Sequence, residues 1–417
     1  MCGSLRRKLP EAAAGPAVPN PAPPAPYPGP TLGPDPGPHL APFSLFLFAY
    51  YAQVGAFAIY ATLFFAARGM SAPQIGVLMS LIQVMRIIGP NLWGWLADHS
   101  GQRVRVLRLT TACALLAFCG IFFAQSYLQF IAVMVAFNLF SSAQAPLAEA
   151  LLLAALRGDA TNYGRVRMWG SVGFIVAVLA AGWLLESLGV HTLPWIALFL
   201  LVCVGAAGLC IRQAPLAAHL EAAPGLWSVL RRREVIAFFV SAALMAGVHM
   251  SLNAFYSLYL EQAGYSKPVI GIMWALGVVA EVAFFYFQAP LLRRFGAERV
   301  MMCAFAVAAL RFPVIGAAGQ LLAVLALAQL LHAATFAAHL SSSVMVMQRW
   351  FAGPLQARGQ ALYMSLAYGI GGTAGGLAMS LCWDRIGPQA VFYLAGALAL
   401  AAAASAALSF RWQRAPA

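Results

Sequence analysis

From Phe43 to Phe410 the chain alternates long apolar stretches with short segments rich in Gly, Pro, Arg and Ser. A helix needs roughly 20 mostly apolar residues to cross about 30 Å of hydrocarbon. The pattern predicts twelve such helices, at 43–66, 73–97, 107–124, 128–151, 165–185, 193–211, 235–260, 269–291, 299–317, 321–347, 359–382 and 389–410. Gly and Pro within these runs are tolerated in lipid, where neighbouring helices re-satisfy the freed backbone groups.

Two segments interrupt the pattern. Residues 1–42, with "PNPAPPAPYPGPTLGPDPGPHL", are too rich in Pro and Ala to pack and are expected to be a disordered cytoplasmic tail. Arg6, Arg7 and Lys8 are followed by no apolar run before Phe43, so no cleavable signal peptide is expected. Residues 212–234 are expected to be a cytoplasmic linker between a 43–211 bundle and a 235–410 bundle, each of six helices, with a short cytoplasmic tail at 411–417.

The two halves are related. At a constant offset of 195 residues Gly69, Ser71, Pro73, Ile75, Gly76 and Gly101 match Gly264, Ser266, Pro268, Ile270, Gly271 and Gly296. An even number of helices per half makes the repeat parallel, with a pseudo-two-fold along the membrane normal and a site expected between the halves near the midplane. The expected fold class is therefore an all-α integral membrane protein, twelve transmembrane helices forming two pseudo-symmetric six-helix bundles. The same offset places Arg86 on Glu281, each twelve residues from a basic loop, or about 18 Å along a helix and near mid-membrane.

Composition agrees with this reading: 62% of the 417 residues are hydrophobic and 9% charged, and mean hydropathy is +0.80, values outside the soluble range. The net charge of +13 suggests nucleic acid until the arginines are placed. Arg103, Arg105, Arg108, Arg157, Arg165, Arg167, Arg212, Arg231 to Arg233, Arg293, Arg294, Arg299, Arg349, Arg358, Arg411 and Arg414 fall in alternate loops, against Arg68, Lys267 and Arg385 on the other side. That asymmetry reports topology, with both termini expected to be cytoplasmic, and no nucleic-acid partner is expected. The seven cysteines form no C-x-x-C pair and read as apolar fillers.

The loop after the second predicted helix runs Gly94-Trp95-Leu96-Ala97-Asp98-His99-Ser100-Gly101-Gln102-Arg103. It resembles the G-x-L-A-D-x-x-G-x-R/K signature of the major facilitator superfamily, and the resemblance covers everything after the tail. Gly94, Asp98, Gly101 and Arg103 form the expected cytoplasmic gating motif, an acid and a base that can latch helix ends and release them. The second copy keeps Gly296 but has Arg293 where Asp98 would fall, so the latch belongs to the first half alone. Further stretches, "YGRVRMWGSVGFI", "WALGVVAEV" and "LLHAATFAAHLS", are similar to the phenylpropionic-acid transporter branch, related to the lactose permease and nucleoside symporters. That resemblance implies proton-coupled uptake.

Charges at the bilayer centre are costly and normally face a bundle interior with partners. Helical spacing puts Trp274, Gly277, Glu281, Phe285 and Gln288 on one face, and His332, Thr335, His339 and Ser343 on another. Glu281, Arg311 and His332, with His339, form the expected proton-coupling set; in the lactose-permease relatives the coupling residues lie on the same three helices. Burial favours a neutral carboxyl and a nearby guanidinium favours the ionised one, so an arginine that changes partners can load and unload a proton. Arg86, Glu149, Arg167, His249, Asn253, Tyr256 and Trp274 are the candidate substrate or cavity residues. Glu149 with Arg165 or Arg167 reads equally as a substrate pair, as the resemblance to the permease relatives implies, or as a gate salt bridge.

No metal-ligand spacing, Walker A motif, nucleophile elbow or Rossmann glycine pattern occurs. The expectation is a monomeric transporter and no enzyme, driven by the proton gradient without a cofactor, with a small molecule, the proton and the bilayer as partners. The excess of intramembrane arginine over acid and the many aromatic residues suit a small aromatic carboxylate. A sugar or nucleoside symporter, a drug or metabolite exporter, and a non-transporting membrane sensor stay open as alternatives.

Overall fold

The computed structural model describes residues 40–156, 160–212, 226–351 and 355–414. The expected tail up to residue 39, linker residues 213–225 and the last three residues lie outside them. Among the described residues there is no strand, and eleven helices are long and apolar enough to cross a membrane. In chain order they are α1 (Ala41–Ala67), α2 (Ala72–Ser100), α3 (Arg103–Phe122), α4 (Tyr127–Leu156), α5 (Asn162–Leu188), α6 (Val190–Cys210), α7 (Arg233–Gln262), α8 (Lys267–Phe295), α9 (Ala297–Ala317), α10 (Leu322–Met347) and α12 (Pro388–Arg414).

The remaining predicted span is also helical. Here α11 covers 356–385, but glycines 369, 371, 372, 375 and 376 and a π-helical stretch, Met364–Gly371, make it less apolar and less regular than the rest. Within the expected linker a short helix, Leu226–Leu230, precedes α7.

Helix pairing repeats with a shift of six. The contacts α1–α5, α1–α6, α2–α4, α3–α4 and α3–α6 recur as α7–α11, α7–α12, α8–α10, α9–α10 and α9–α12. Backbone detail repeats too: Gly69 and Gly264 both close the turn before an even-numbered helix with φ of 80° and 89°.

Between the halves, α2 packs on α11, α5 on α8 and α1 on α7. These contacts cluster at the arginine-poor end of the helices. Tyr60 donates to the carbonyls of Val178 and Lys267 at 3.0 and 3.1 Å. Glu186 accepts from the Lys267 backbone N–H at 3.0 Å and lies 3.7 Å from its Nζ. A Cβ on Gly182 would come within 2.7 Å of the Lys267 carbonyl oxygen, and one on Gly271 within 2.8 Å of the Val178 oxygen, so α5 and α8 meet backbone to backbone. Towards the arginine-rich end the helices part: a Cβ on Gly94 would meet nothing within 4 Å, and Ile88, Leu92, Trp95 and Phe285 to Phe287 are exposed.

Candidate functional site

Inside the second half, α8, α9 and α10 bring three of the expected coupling residues into one chain of contacts. Glu281 Oε1 lies 2.7 Å from His332 Nε2, with both side chains largely buried. Arg311, 1% exposed, donates from Nη1 to His332 Nδ1 at 3.2 Å and to Thr335 Oγ1 at 2.7 Å. Its Nη2 donates to Gln329 Oε1 at 2.8 Å and its Nε to the Ala328 carbonyl at 2.6 Å. A guanidinium has no acceptor, so this contact assigns the His332 lone pair to Nδ1 and the ring proton to Nε2, facing the carboxylate. Acid and arginine are thus joined through a neutral imidazole rather than directly.

Local structure explains the closeness. A Cβ on Gly277, one turn before Glu281, would sit 3.5 Å from the His332 ring, in ordinary contact, so α8 approaches α10 without obstruction. Immediately after His332 the backbone widens into a π-helical turn, Ala333–Ala337. Such a turn shifts the α-helical register, and π turns are frequent at functional sites. The expected single stripe of His332, Thr335, His339 and Ser343 therefore divides. His332 and Thr335 serve Arg311, whereas His339 packs its ring 5.2 Å from Phe305 and lies 3.4 Å from Ser343 Oγ.

The other expected cavity residues surround this chain. His249 is buried on α7 with its ring 5.8 Å from that of His332. Tyr256 and Trp274, both buried, meet edge to face at 5.9 Å, and Trp274 Nε1 donates to Ser257 at 3.0 Å. Asn253, between His249 and Tyr256 on α7, is exposed.

In the first half, Arg167 Nε lies 3.1 Å from Glu149 Oε1, its Nη2 donates to the Tyr51 hydroxyl at 2.8 Å, and its guanidinium carbon sits 4.2 Å from the Tyr51 ring centre. Arg86 is exposed on α2 and donates to Gln83 Oε1 at 3.3 Å. Among the described residues no carboxylate lies within ion-pair distance of it, and Glu281, its counterpart in the repeat, is held by His332.

At the arginine-rich end the motif residues form a local pair: Arg103 contacts Asp98 Oδ1 through Nη2 at 2.7 Å and Nε at 3.0 Å. Gly101, at φ 66°, makes the left-handed turn that folds α3 back towards α2. The pair is exposed and joins two helices of one half.

Sequence reasoning missed Gln329, the partner of Arg311 Nη2, although it lies one turn before His332 on the same helix. It also missed the partnership of Tyr51 with Arg167, which brings α1 and α5 together and leaves no local spacing to read.

An all-helical bundle whose helix pairing repeats in parallel with a shift of six, a buried acid–imidazole–arginine chain and an acid–glycine–arginine turn after α2 together have the architecture of a membrane transporter of the major facilitator type. Residues 40–394 match the family described as MFS_1-like, and the chain belongs to it. It is 29% identical over 332 residues to a protein of Escherichia coli (strain K12) named "Probable 3-phenylpropionic acid transporter", covering 77% of this chain and 85% of the relative. The maltose permease of Geobacillus stearothermophilus is 29% identical over 279 residues, 65% of this chain and 69% of the permease. Among solved structures, the nucleoside transporter NupG matches with a TM-score of 0.75 at 17% identity, over 89% of this chain and 99% of that one. The chain is thus a multi-pass membrane transporter of the major facilitator superfamily, with the all-α fold of that class.

Proposed function

We propose that this protein takes up a small aromatic carboxylate across the bacterial inner (plasma) membrane by proton symport, as a monomer, with the arginine-rich end and both termini in the cytoplasm. The observation that carries the reading is the Glu281–His332–Arg311 chain, a buried acid beside a base and an arginine, the set of groups that proton exchange near mid-membrane requires. Protonation of Glu281 removes the charge that His332 and Arg311 hold in place, which frees the second half to move against the first. Arg86, without an acid partner and exposed on the inner stretch of α2, anchors the substrate carboxylate. The name borne by the E. coli relative supports the same substrate class. The arginine asymmetry between the loops supports the orientation.

A second reading, symport of a neutral hydroxylated solute, is favoured by the Glu149–Arg167–Tyr51 cluster and by the maltose-permease relative. The two part in one experiment. Purified protein in proteoliposomes is exposed to aromatic acids, sugars and nucleosides, and proton movement is followed alongside Glu281→Gln. Aromatic acids should drive proton entry in the wild type, and the neutralised variant should lose it while still exchanging substrate across the bilayer. Proton entry with sugars or nucleosides alone supports the second reading; substrate flux with no proton movement overturns both.

A further inference from the structure

In the coupling chain His332 is saturated. Its Nε2–H faces Glu281 and its Nδ1 lone pair accepts from Arg311, so it has no atom free to take a second proton while Arg311 stays in place. His249 differs. Its Nδ1 lies 2.9 Å from the Met245 carbonyl, one turn earlier on α7, and must donate to it. Nε2 is then a bare acceptor, and it is buried without a partner in a residue only 6% exposed. Buried polar atoms in native structures are paired with protein or water, so an orphan beside a functional cluster requires an explanation.

A pocket supplies one. His249 lines a small cavity between α7, α10 and α11, walled also by Phe336, His339, Tyr363 and Tyr368, with room for about one water. It lies on the arginine-rich side of His332, since Met245 and Ala242 of α7 and His339 of α10 are all nearer that end. The titratable and charged groups facing His249 are Arg311 from α9, His332 and His339 from α10, and Tyr363 and Tyr368 from α11.

We infer that His249 is the proton-carrying base of the coupling site and that His332 orients Glu281 without carrying the proton. The carboxylic acid of Glu281 gives its proton up to water and becomes a carboxylate held by His332; His249 Nε2 gains a proton from that water and becomes an imidazolium, so the two residues need no direct contact. A single water held between His249 and His339 then takes that proton and passes one of its own towards the arginine-rich end, returning His249 to the neutral base. The inference rests on the symport reading above.

The test uses full-length protein in proteoliposomes and compares gradient-driven net uptake with substrate exchange, which needs no net proton transfer. In His332→Gln the amide nitrogen can still donate to Glu281 and the amide oxygen can still accept from Arg311. The ratio of net uptake to exchange in that variant should therefore stay at the wild-type value, with any loss of rate shared by both. In His249→Gln and His249→Asn net uptake should fall about a hundredfold relative to exchange, the scale of a lost acid–base group. Uncoupling by His332→Gln, unchanged net uptake in the His249 variants, or loss of exchange together with uptake in both His249 variants would each overturn the inference. A wild type that moves substrate with no proton would instead remove the symport reading beneath it.

Discussion

Arg311 illustrates how one residue is made to belong where it is. All three guanidinium nitrogens are occupied, by the Ala328 carbonyl, Thr335, His332 and Gln329, which offsets the cost of burying a charge. A lysine keeps the charge but not the fork, so it cannot serve these partners together. Arg86 is the contrasting case, a guanidinium that donates to Gln83 and, among the described residues, meets no carboxylate. Arg86→Gln should raise KM for an aromatic carboxylate about ten- to a hundredfold, the ~1.5–3 kcal/mol of a hydrogen bond to a charged group. Uptake of the corresponding neutral amide should be unaffected, and an equal effect on both would place Arg86 outside the substrate site. The Asp98–Arg103 pair is half exposed on the acid side, so Asp98→Asn should cost no more than about 1 kcal/mol of stability. Its effect should appear in transport rate, with thermal unfolding of the purified protein as the control.

Helices settle what the residues can reach. Two of them carry π-helical stretches, in α10 beside His332 and in α11 beside Tyr368, and both flank the proposed coupling region. Elements also close the arginine-poor end. Lys267 opens α8, where Glu186 accepts its backbone N–H while Glu186 and Glu261 lie 3.7 and 3.5 Å from its ammonium. A carboxylate at a helix N-terminus contributes ~0.3–1 kcal/mol, and a partly exposed ion pair adds ~0–1 kcal/mol. Glu186→Gln should therefore shift the balance towards opening at that end about fivefold, using the tenfold-per-1.4 kcal/mol conversion. The readout is thiol labelling of Ser380→Cys, a buried position at the α2–α11 contact, in a background lacking the native cysteines. An unchanged labelling rate would show that the clasp does not hold the closed end.

At the scale of the molecule, the shift-by-six pairing means that each half is built to the same plan, and the α2–α11 and α5–α8 contacts are related by the same pseudo-two-fold. Contacts gathered at one end and parted helices at the other suit rocking of the halves about a central site. Every helix in that plan lies between Ala41 and Arg414. Removal of residues 2–39 should leave uptake per inserted molecule unchanged within about twofold, as expected from a sequence this rich in Pro and Ala. Loss of flux with normal membrane insertion would assign the tail a part in transport.

The apolar period, the 195-residue repeat and the Gly94-to-Arg103 motif were enough to establish the helical spans, the pseudo-symmetric class and the superfamily resemblance, because these are properties of local hydrophobicity and of duplicated sequence. The gathering of Glu281, Arg311 and His332 was also legible, since a charge in lipid must face inward and find a partner. Its order was not. That His332 stands between acid and arginine, that a π turn separates His339 from His332, that Arg86 is left without an acid, and that His249 keeps an unpartnered nitrogen beside a one-water pocket were decided by tertiary structure alone. The sequence specifies which faces must be buried; which buried groups pair depends on helix rotation and register, and those are set by packing between helices distant along the chain.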